Sequence, residues 1–328
     1  MYEEALAFLD SEEMFLLTTH VNSDGDGLSA MLALASMMRA QGRQFRMVVH
    51  DVEIDRRYVF LEGYNEIESV AMVRDNQRFK RAVFLDTPTG SSQRIGEVAG
   101  LVADDATTMI IDHHRSENEE GDVRLVDLGA SATAELVFRL VQAAGVEVTA
   151  GIATQIYTGI AFDTKLFKFS NPERAVKACA ELVDHGADPR AIADILFARE
   201  SYESIFTLGI ALTTMKLHYA GRVVSLHVDH KTYSLGGDLD MVIDRAMSID
   251  GVEVALFFKE ESPGRHRASL RSRGRVNVNR IARMFGGGGH RNASGCAMEA
   301  PLEDFRTALL DSTKLALDAP DESESEES

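Results

Sequence analysis

The sequence predicts an α/β protein of two domains: an N-terminal domain with a mostly parallel sheet flanked by helices, and a smaller C-terminal α+β domain. Three observations carry that expectation. At 328 residues the chain exceeds what one hydrophobic core usually organises. Through the first half, short apolar runs alternate with helix-like stretches, as parallel strands do when helices cover both faces of their sheet. Beyond about residue 200 the texture changes to strands of alternating polarity interleaved with helices.

Taken in order, residues 15–19 read as a short buried strand and residues 28–41 as a helix closed by Gly42. Strand-like runs recur at 44–50, 81–85 and 107–111. Helices then dominate, at 132–144, 152–161, 172–185 and 189–197, with Pro172 placed as a first helical residue. Further on, strands are expected at 223–228, 252–259 and 267–271, with helices at 238–247 and 277–284. The resulting division is a first domain at 1–188, a helical linker at 189–205, a second domain at 206–317 and a tail at 318–328. The tail is acidic and low in complexity, a composition that predicts disorder.

Composition bounds the function. Thirty-four Lys+Arg against 52 Asp+Glu leave a net charge of −18, which excludes a protein that coats long duplex DNA by bulk electrostatics. Two cysteines, Cys179 and Cys296, cannot build a disulfide framework and read as buried small residues. The N-terminus carries acids where a signal peptide needs bases, and no run of 18 apolar residues exists. A soluble protein of the reducing cytoplasm, without a membrane partner, is expected.

The informative polar residues follow the strands. The run at 15–19 leads into His20, Asn22, Ser23, Asp24 and Asp26; the run at 81–85 into Asp86; the run at 107–111 into Asp112, His113 and His114. Asp163 follows the apolar helix at 152–161. Ligands of open parallel sheets bind beyond the carboxyl ends of the strands, so three strands deliver Asp and His to one edge. An EF-hand reading of the Asp24 loop fails, because counting from Asn22 puts Ala33 where the bidentate glutamate belongs. Asp and His without cysteine suit hard to borderline divalent ions such as Mn²⁺ rather than structural zinc. Four carboxylates and two histidines are enough for two ions about 3.5–4 Å apart that share one carboxylate and assist in-line attack on phosphorus.

A second feature is the run of four glycines at 286–289, followed by His290, Arg291, Asn292 and Ser294. So many glycines are costly in chain entropy, and they let a ligand approach backbone N–H groups. The run is neither a Walker loop nor a dinucleotide fingerprint. Between Ser262 and Met298 lie eight arginines and no Asp or Glu, an anion-binding surface inside an acidic protein. Alternation over 267–273 is expected to put several guanidinium groups on one strand face.

These motifs resemble the DHH phosphoesterase superfamily, whose name describes Asp112-His113-His114. The subgroup with a C-terminal DHHA1 domain is similar at Gly287 to Gly295, its glycine–histidine signature. Five motifs in the expected order cover nearly the whole chain apart from the tail. The segments 57–63 and 163–171 are similar to its standalone oligoribonuclease/pAp phosphatase (nanoRNase) branch. The resemblance implies that His20, Asp24 and Asp86 hold one Mn²⁺, and that Asp26, Asp86, His113 and Asp163 hold a second, with Asp86 shared. Mg²⁺ or Co²⁺ would serve as alternatives. It further implies that His114 contacts the scissile phosphate, and that Asp112 orients the motif from behind. His290, the turn of Gly287, Gly288 and Gly289, and Ser294 would bind the substrate's phosphate or terminal nucleotide, with Arg271 as an added phosphate contact. Three positions depart from the family pattern: Ser23 stands where proline is common, Gly27 where alanine is, and Lys165 where glycine is frequent.

The expected activity is hydrolysis of short oligonucleotides, of linear dinucleotides such as pApA, or of pAp to mononucleotides. A cyclic di-AMP phosphodiesterase would use the same centre, and a non-catalytic nucleotide sensor is the alternative of another class. A processive exonuclease would need further modules, and a family pyrophosphatase would carry a different C-terminal domain. Homodimerisation is left open.

Overall fold

The computed structural model describes residues 1–73, 77–114, 120–168, 171–237 and 239–319, the side chain of His290 excepted. The expectations for the tail at 320–328, for Asp238 and for residues 169–170 of the 163–171 segment lie outside the described residues. The chain divides into two compact units, Met1–Arg199 and Glu200–Ser328.

In the first unit the elements run α1 (Tyr2–Leu9), β1 (Phe15–Thr19), α2 (Gly25–Ala40), β2 (Phe45–Val49), β3 (Glu68–Ser69), β4 (Phe79–Leu85), α3 (Ser92–Ile95), β5 (Val102–Asp112), β6 (Val123–Val126), α4 (Thr133–Ala143), α5 (Ala150–Asp163), α6 (Pro172–Asp184) and α7 (Pro189–Phe197). The strands pair in the order β3-β2-β1-β4-β5-β6, every pair parallel. Alternate strand residues enter two cores. Phe15, Leu17, Val83, Leu85, Met109 and Ile111 pack with α2, α4 and α5, whereas Leu16, Ala82, Phe84 and Ile110 pack with Ile95, Val98 and Leu101. Burial on both faces explains why the strands read as continuous apolar runs. Helix α7, expected within a linker, buries Ile192 and Leu196 in the larger of these cores.

Helix α2 begins three residues before the sequence expectation. Asp24 is its N-cap, with Oδ1 accepting the N–H groups of Asp26 and Gly27 at 3.1 Å each, which satisfies two orphan donors of the first turn. The glycines obscured that start by their low helix propensity. Close packing accounts for Gly25: a Cβ there would lie 2.5 Å from both Phe162 Cγ and the Tyr58 hydroxyl.

The second unit contains α8 (Tyr202–Thr213), β7 (Lys216–His218), β8 (Val223–Val228), α9 (His230–Tyr233), α10 (Asp240–Met247), β9 (Val254–Ser262), β10 (Arg265–Ser272), α11 (Val278–Met284), β11 (Gly288–His290), β12 (Ala293–Glu299) and α12 (Leu302–Asp318). Its sheet has the order β11-β12-β10-β9-β8-β7 and is mixed: β8 and β9 run parallel, and the other neighbours antiparallel. Along β10, His266, Ala268 and Leu270 are buried while Arg265 and Arg267 on the other face are exposed, so the expected alternation of arginines is present there.

The glycine run corrects one expectation. Residues 288 and 289 belong to an edge strand and not to a turn, because Gly288 pairs with Gly295 and Gly289 with Ser294. The turn lies one step earlier. Gly286, at φ +71°, closes α11, with its N–H on Arg283 O at 3.1 Å and the Gly287 N–H on Ala282 O at 2.9 Å, a Schellman termination.

Candidate metal centre and anion cleft

In the first sheet the strand order reverses direction between β1 and β4, the switch point at which open parallel sheets form a crevice. His20 and Asp24 follow β1, and Asp86 follows β4 in a left-handed conformation (φ +59°) that aspartate tolerates better than most residues. Asp112 ends β5, His113 and His114 come next, and Asp163 closes α5. The fold brings all eight expected residues of this unit to one edge.

Asp86 is buried at the centre. Its Oδ2 lies 3.5 Å from His20 Nε2, and its Oδ1 lies 3.8 Å from His113 Nε2. The first histidine also faces Asp24 Oδ1 at 3.6 Å. The second faces Asp26 Oδ2 at 3.9 Å and Asp163 Oδ2 at 3.7 Å. These separations exceed a hydrogen bond. They fall between the roughly 3 Å and 4 Å that separate neighbouring and opposite ligands around an ion with bonds of about 2.1 Å. His113 Nε2 and Asp163 Oδ2 are buried without a hydrogen-bond partner, an arrangement that a cation between them would satisfy. The donor set therefore fits divalent ions.

Two compact triads present ligand atoms within 4.8 Å of one another: His20, Asp24, Asp86, and Asp86, His113, His114. His114 is also engaged outside its triad. Its Nδ1 lies 2.8 Å from Asp112 Oδ1, an oxygen that also accepts the backbone N–H groups of His113 at 2.8 Å and His114 at 3.2 Å. Asp26 and Asp163 also face His113 Nε2, at 3.9 and 3.7 Å.

The surrounding main chain fixes the carboxylates. Asp26 accepts the N–H groups of Thr133 at 2.6 Å and Ala134 at 2.9 Å from the first turn of α4, whose partial positive charge favours an anion. The Thr133 hydroxyl donates to Asp86 Oδ1 at 2.9 Å. Sequence reasoning missed Thr133, because a threonine near a helix start carries no signal of its own.

Crowded carboxylates make the pocket strongly electronegative. Burial, reinforced by Asp86 and other carboxylates, raises the Asp26 carboxyl well above its ordinary value. Burial also raises that of Asp163, with Asp86 adding to it against the pull of His113. Burial opposes the charged form of His20, yet the facing carboxylates of Asp24 and Asp86 push it up to about 11. The hydrogen bond to Asp112 raises His114 to about 9. A divalent cation at this edge would balance the crowded carboxylates.

The second unit holds a separate cleft of about 360 Å³. Arg271, Gly288, Gly289 and Ser294 line it together with Arg267 and Lys259. Gly287 serves packing instead, since a Cβ there would lie 2.1 Å from Gly295 O. The side chain of His290 lies outside the described residues. Lys259, which sequence reasoning missed, comes from β9 opposite Arg267 and lies 3.0 Å from Ser269 Oγ. Burial pulls its ammonium below the ordinary lysine value. Asp240 and Glu261 also border the cleft, and Glu261 lies 3.8 Å from Arg267.

Comparison with known proteins agrees with both units. Residues 14–160 match the model of the DHH family, N-terminal domain, and residues 222–315 match that of the DHHA1 domain. The bifunctional oligoribonuclease and PAP phosphatase NrnA of Thermus thermophilus is 31% identical over 286 residues, which cover 86% of this chain and 83% of the relative. The chain belongs to the DHH family. It is a phosphoesterase. Its relative of the same name in Bacillus subtilis is 25% identical, with 91% of this chain and 93% of the relative covered. The fold is that of an exopolyphosphatase-related protein from Bacteroides fragilis, with a TM-score of 0.87, 23% identity and 97% of each chain covered.

The three positions that depart from the DHH pattern have distinct local settings. Ser23 donates from both its N–H and its hydroxyl to Asp51. Gly27 lies against Thr19. Lys165 adopts φ +46°, the left-handed region in which glycine is favoured. Among the described residues, no helix is long and apolar enough to cross a membrane.

Proposed function

We propose that this phosphoesterase hydrolyses short oligonucleotides, dinucleotides or pAp to mononucleotides with the help of two divalent cations, Mn²⁺ first among them. The observation that carries this reading is the position of Asp86, whose two oxygens face two different donor sets. His20, Asp24 and Asp86 would hold one cation; Asp26, Asp86, His113 and Asp163 would hold the other. Bound there, the cations supply a nucleophile at neutral pH and Lewis-acid stabilisation of the phosphoryl oxygens.

The chain's own groups do the rest. His114, held by Asp112 through Nδ1, would donate to a phosphate oxygen as charge develops there. Thr133 fixes the Asp86 carboxylate through its hydroxyl. In the second unit, Arg271 and Lys259 supply charged donors, Ser294 a hydroxyl, and Gly288 and Gly289 an accessible backbone for a terminal phosphate. Gly287 shapes that strand, and His290 is the remaining contact of the proposed set. The substrates named for the Thermus and Bacillus relatives support the choice of short nucleotides.

A product time course tests it, with Mn²⁺ and 5′-labelled oligonucleotides of increasing length, pAp and cyclic di-AMP run in parallel. Conversion of the shortest chains and of pAp is expected. Preferential opening of cyclic di-AMP would replace the substrate, and binding without turnover of any of them would replace the enzyme by a sensor.

A further inference from the structure

The loop from His20 to Asp24 supplies two of the three groups that face one another at the first donor set, and its shape is not set by its own sequence. Asn22 sits in the left-handed region at φ +57°, which asparagine tolerates but which does not by itself fix the course of the loop. The hold comes from the next strand. Asp51 lies two residues beyond β2, which pairs in parallel with β1. Its Oδ1 accepts the Asn22 N–H at 2.9 Å, and its Oδ2 accepts the Ser23 N–H at 3.0 Å and the Ser23 hydroxyl at 2.6 Å. Three donors thus converge on one carboxylate, and successive N–H groups turned the same way make a natural anion seat.

On the other side of the loop, the Val21 N–H donates to Arg94 O at 2.7 Å, and His20 Nδ1 lies 2.9 Å from Val21 O. These contacts leave His20 Nε2 directed at Asp24 and Asp86. Asp26 is held by α4 and His113 follows β5, so neither depends on Asp51.

We infer that Asp51 is a positioning residue for His20 and Asp24, and so for one cation of the pair and not the other. This rests on the proposed reading that Asp86 is shared by two cation sites. Carboxylates that orient ligands in this way typically govern metal affinity by about 10–100-fold.

The test is a Mn²⁺ titration of the metal-free full-length chain, following free Mn²⁺ by electron paramagnetic resonance, for wild type, Asp51→Ala, Asp51→Asn and Asp86→Asn. Thermal unfolding without metal is recorded alongside. Asp51→Ala is expected to weaken one Mn²⁺ site by about tenfold or more and leave the other unchanged. Asp51→Asn keeps one acceptor oxygen; it should fall between Asp51→Ala and wild type, and it carries the test if the alanine variant does not fold. A lower unfolding midpoint with both affinities unchanged, or equal weakening of both sites, overturns the assignment. Should Asp86→Asn abolish Mn²⁺ binding while neither Asp51 variant alters it, only the role of Asp51 fails. Mn²⁺ binding untouched by Asp86→Asn overturns the shared-site reading and the role of Asp51 with it.

Discussion

Gly27 lies so close to Thr19 that a Cβ built on it would sit 2.2 Å from Thr19 Oγ1. That oxygen is buried and has no hydrogen-bond partner. The pair therefore sets how near the first turn of α2 approaches β1, and with it where Asp24 and Asp26 emerge. Gly27→Ala should destabilise the protein by about 1–3 kcal/mol through overpacking. Adding Thr19→Ala removes the offending hydroxyl and should restore most of the loss, helped by the better helix propensity of alanine. Urea unfolding of the two single variants and the double variant measures this coupling, and additive losses would refute it.

Two neighbouring glycines should behave oppositely. Nothing lies within 4 Å of a Cβ placed on Gly288, whereas on Gly287 it would lie 2.1 Å from Gly295 O. Gly288→Ala should keep wild-type stability and raise KM for a dinucleotide, because the methyl enters the cleft. Gly287→Ala should lower the unfolding midpoint. Steady-state kinetics with thermal melts separates the two; an unchanged KM in folded Gly288→Ala would remove that residue from the binding surface.

Arg174 joins Asp127 at 2.8 Å to the buried Glu135 at 2.7 Å. Burial opposes it, but the Arg174 guanidinium holds the Asp127 carboxyl below its ordinary value. A depressed carboxyl stabilises the fold above its unfolded pKa, and this contribution disappears as pH falls through the folded one. Arg174→Met should therefore cost about 2 kcal/mol at neutral pH, chiefly by leaving Glu135 unpaired in the core. The deficit should shrink on acidification, as Asp127 takes up a proton. Chemical denaturation at several pH values checks the sign.

Much of the first unit was legible because its signals are local. Strands buried on both faces read as apolar runs, and β1 has the expected limits. Asp and His directly after three such runs point to one edge without any tertiary information. What escaped depends on tertiary contact. Strand β3 has two residues and exists through pairing with β2. Strand β11 consists of glycines and a histidine, and only its ladder with β12 identifies it. Thr133 and Asp51 lie far along the chain from the residues they hold, at spacings that no periodicity reveals. Lys259 looked like an ordinary strand residue until its neighbours Ser269 and Arg267 were placed.

The shared role of Asp86 is the claim on which the proposed chemistry stands. Asp86→Asn is the appropriate variant, because asparagine also tolerates the left-handed backbone at φ +59° and leaves the shape nearly unchanged. The decisive measurement is its rate of dinucleotide hydrolysis at saturating Mn²⁺, on protein whose circular dichroism matches wild type. A fall of about a thousandfold or more is expected, the several kcal/mol that metal-assisted charge stabilisation supplies. A rate close to wild type would contradict a centre built around Asp86.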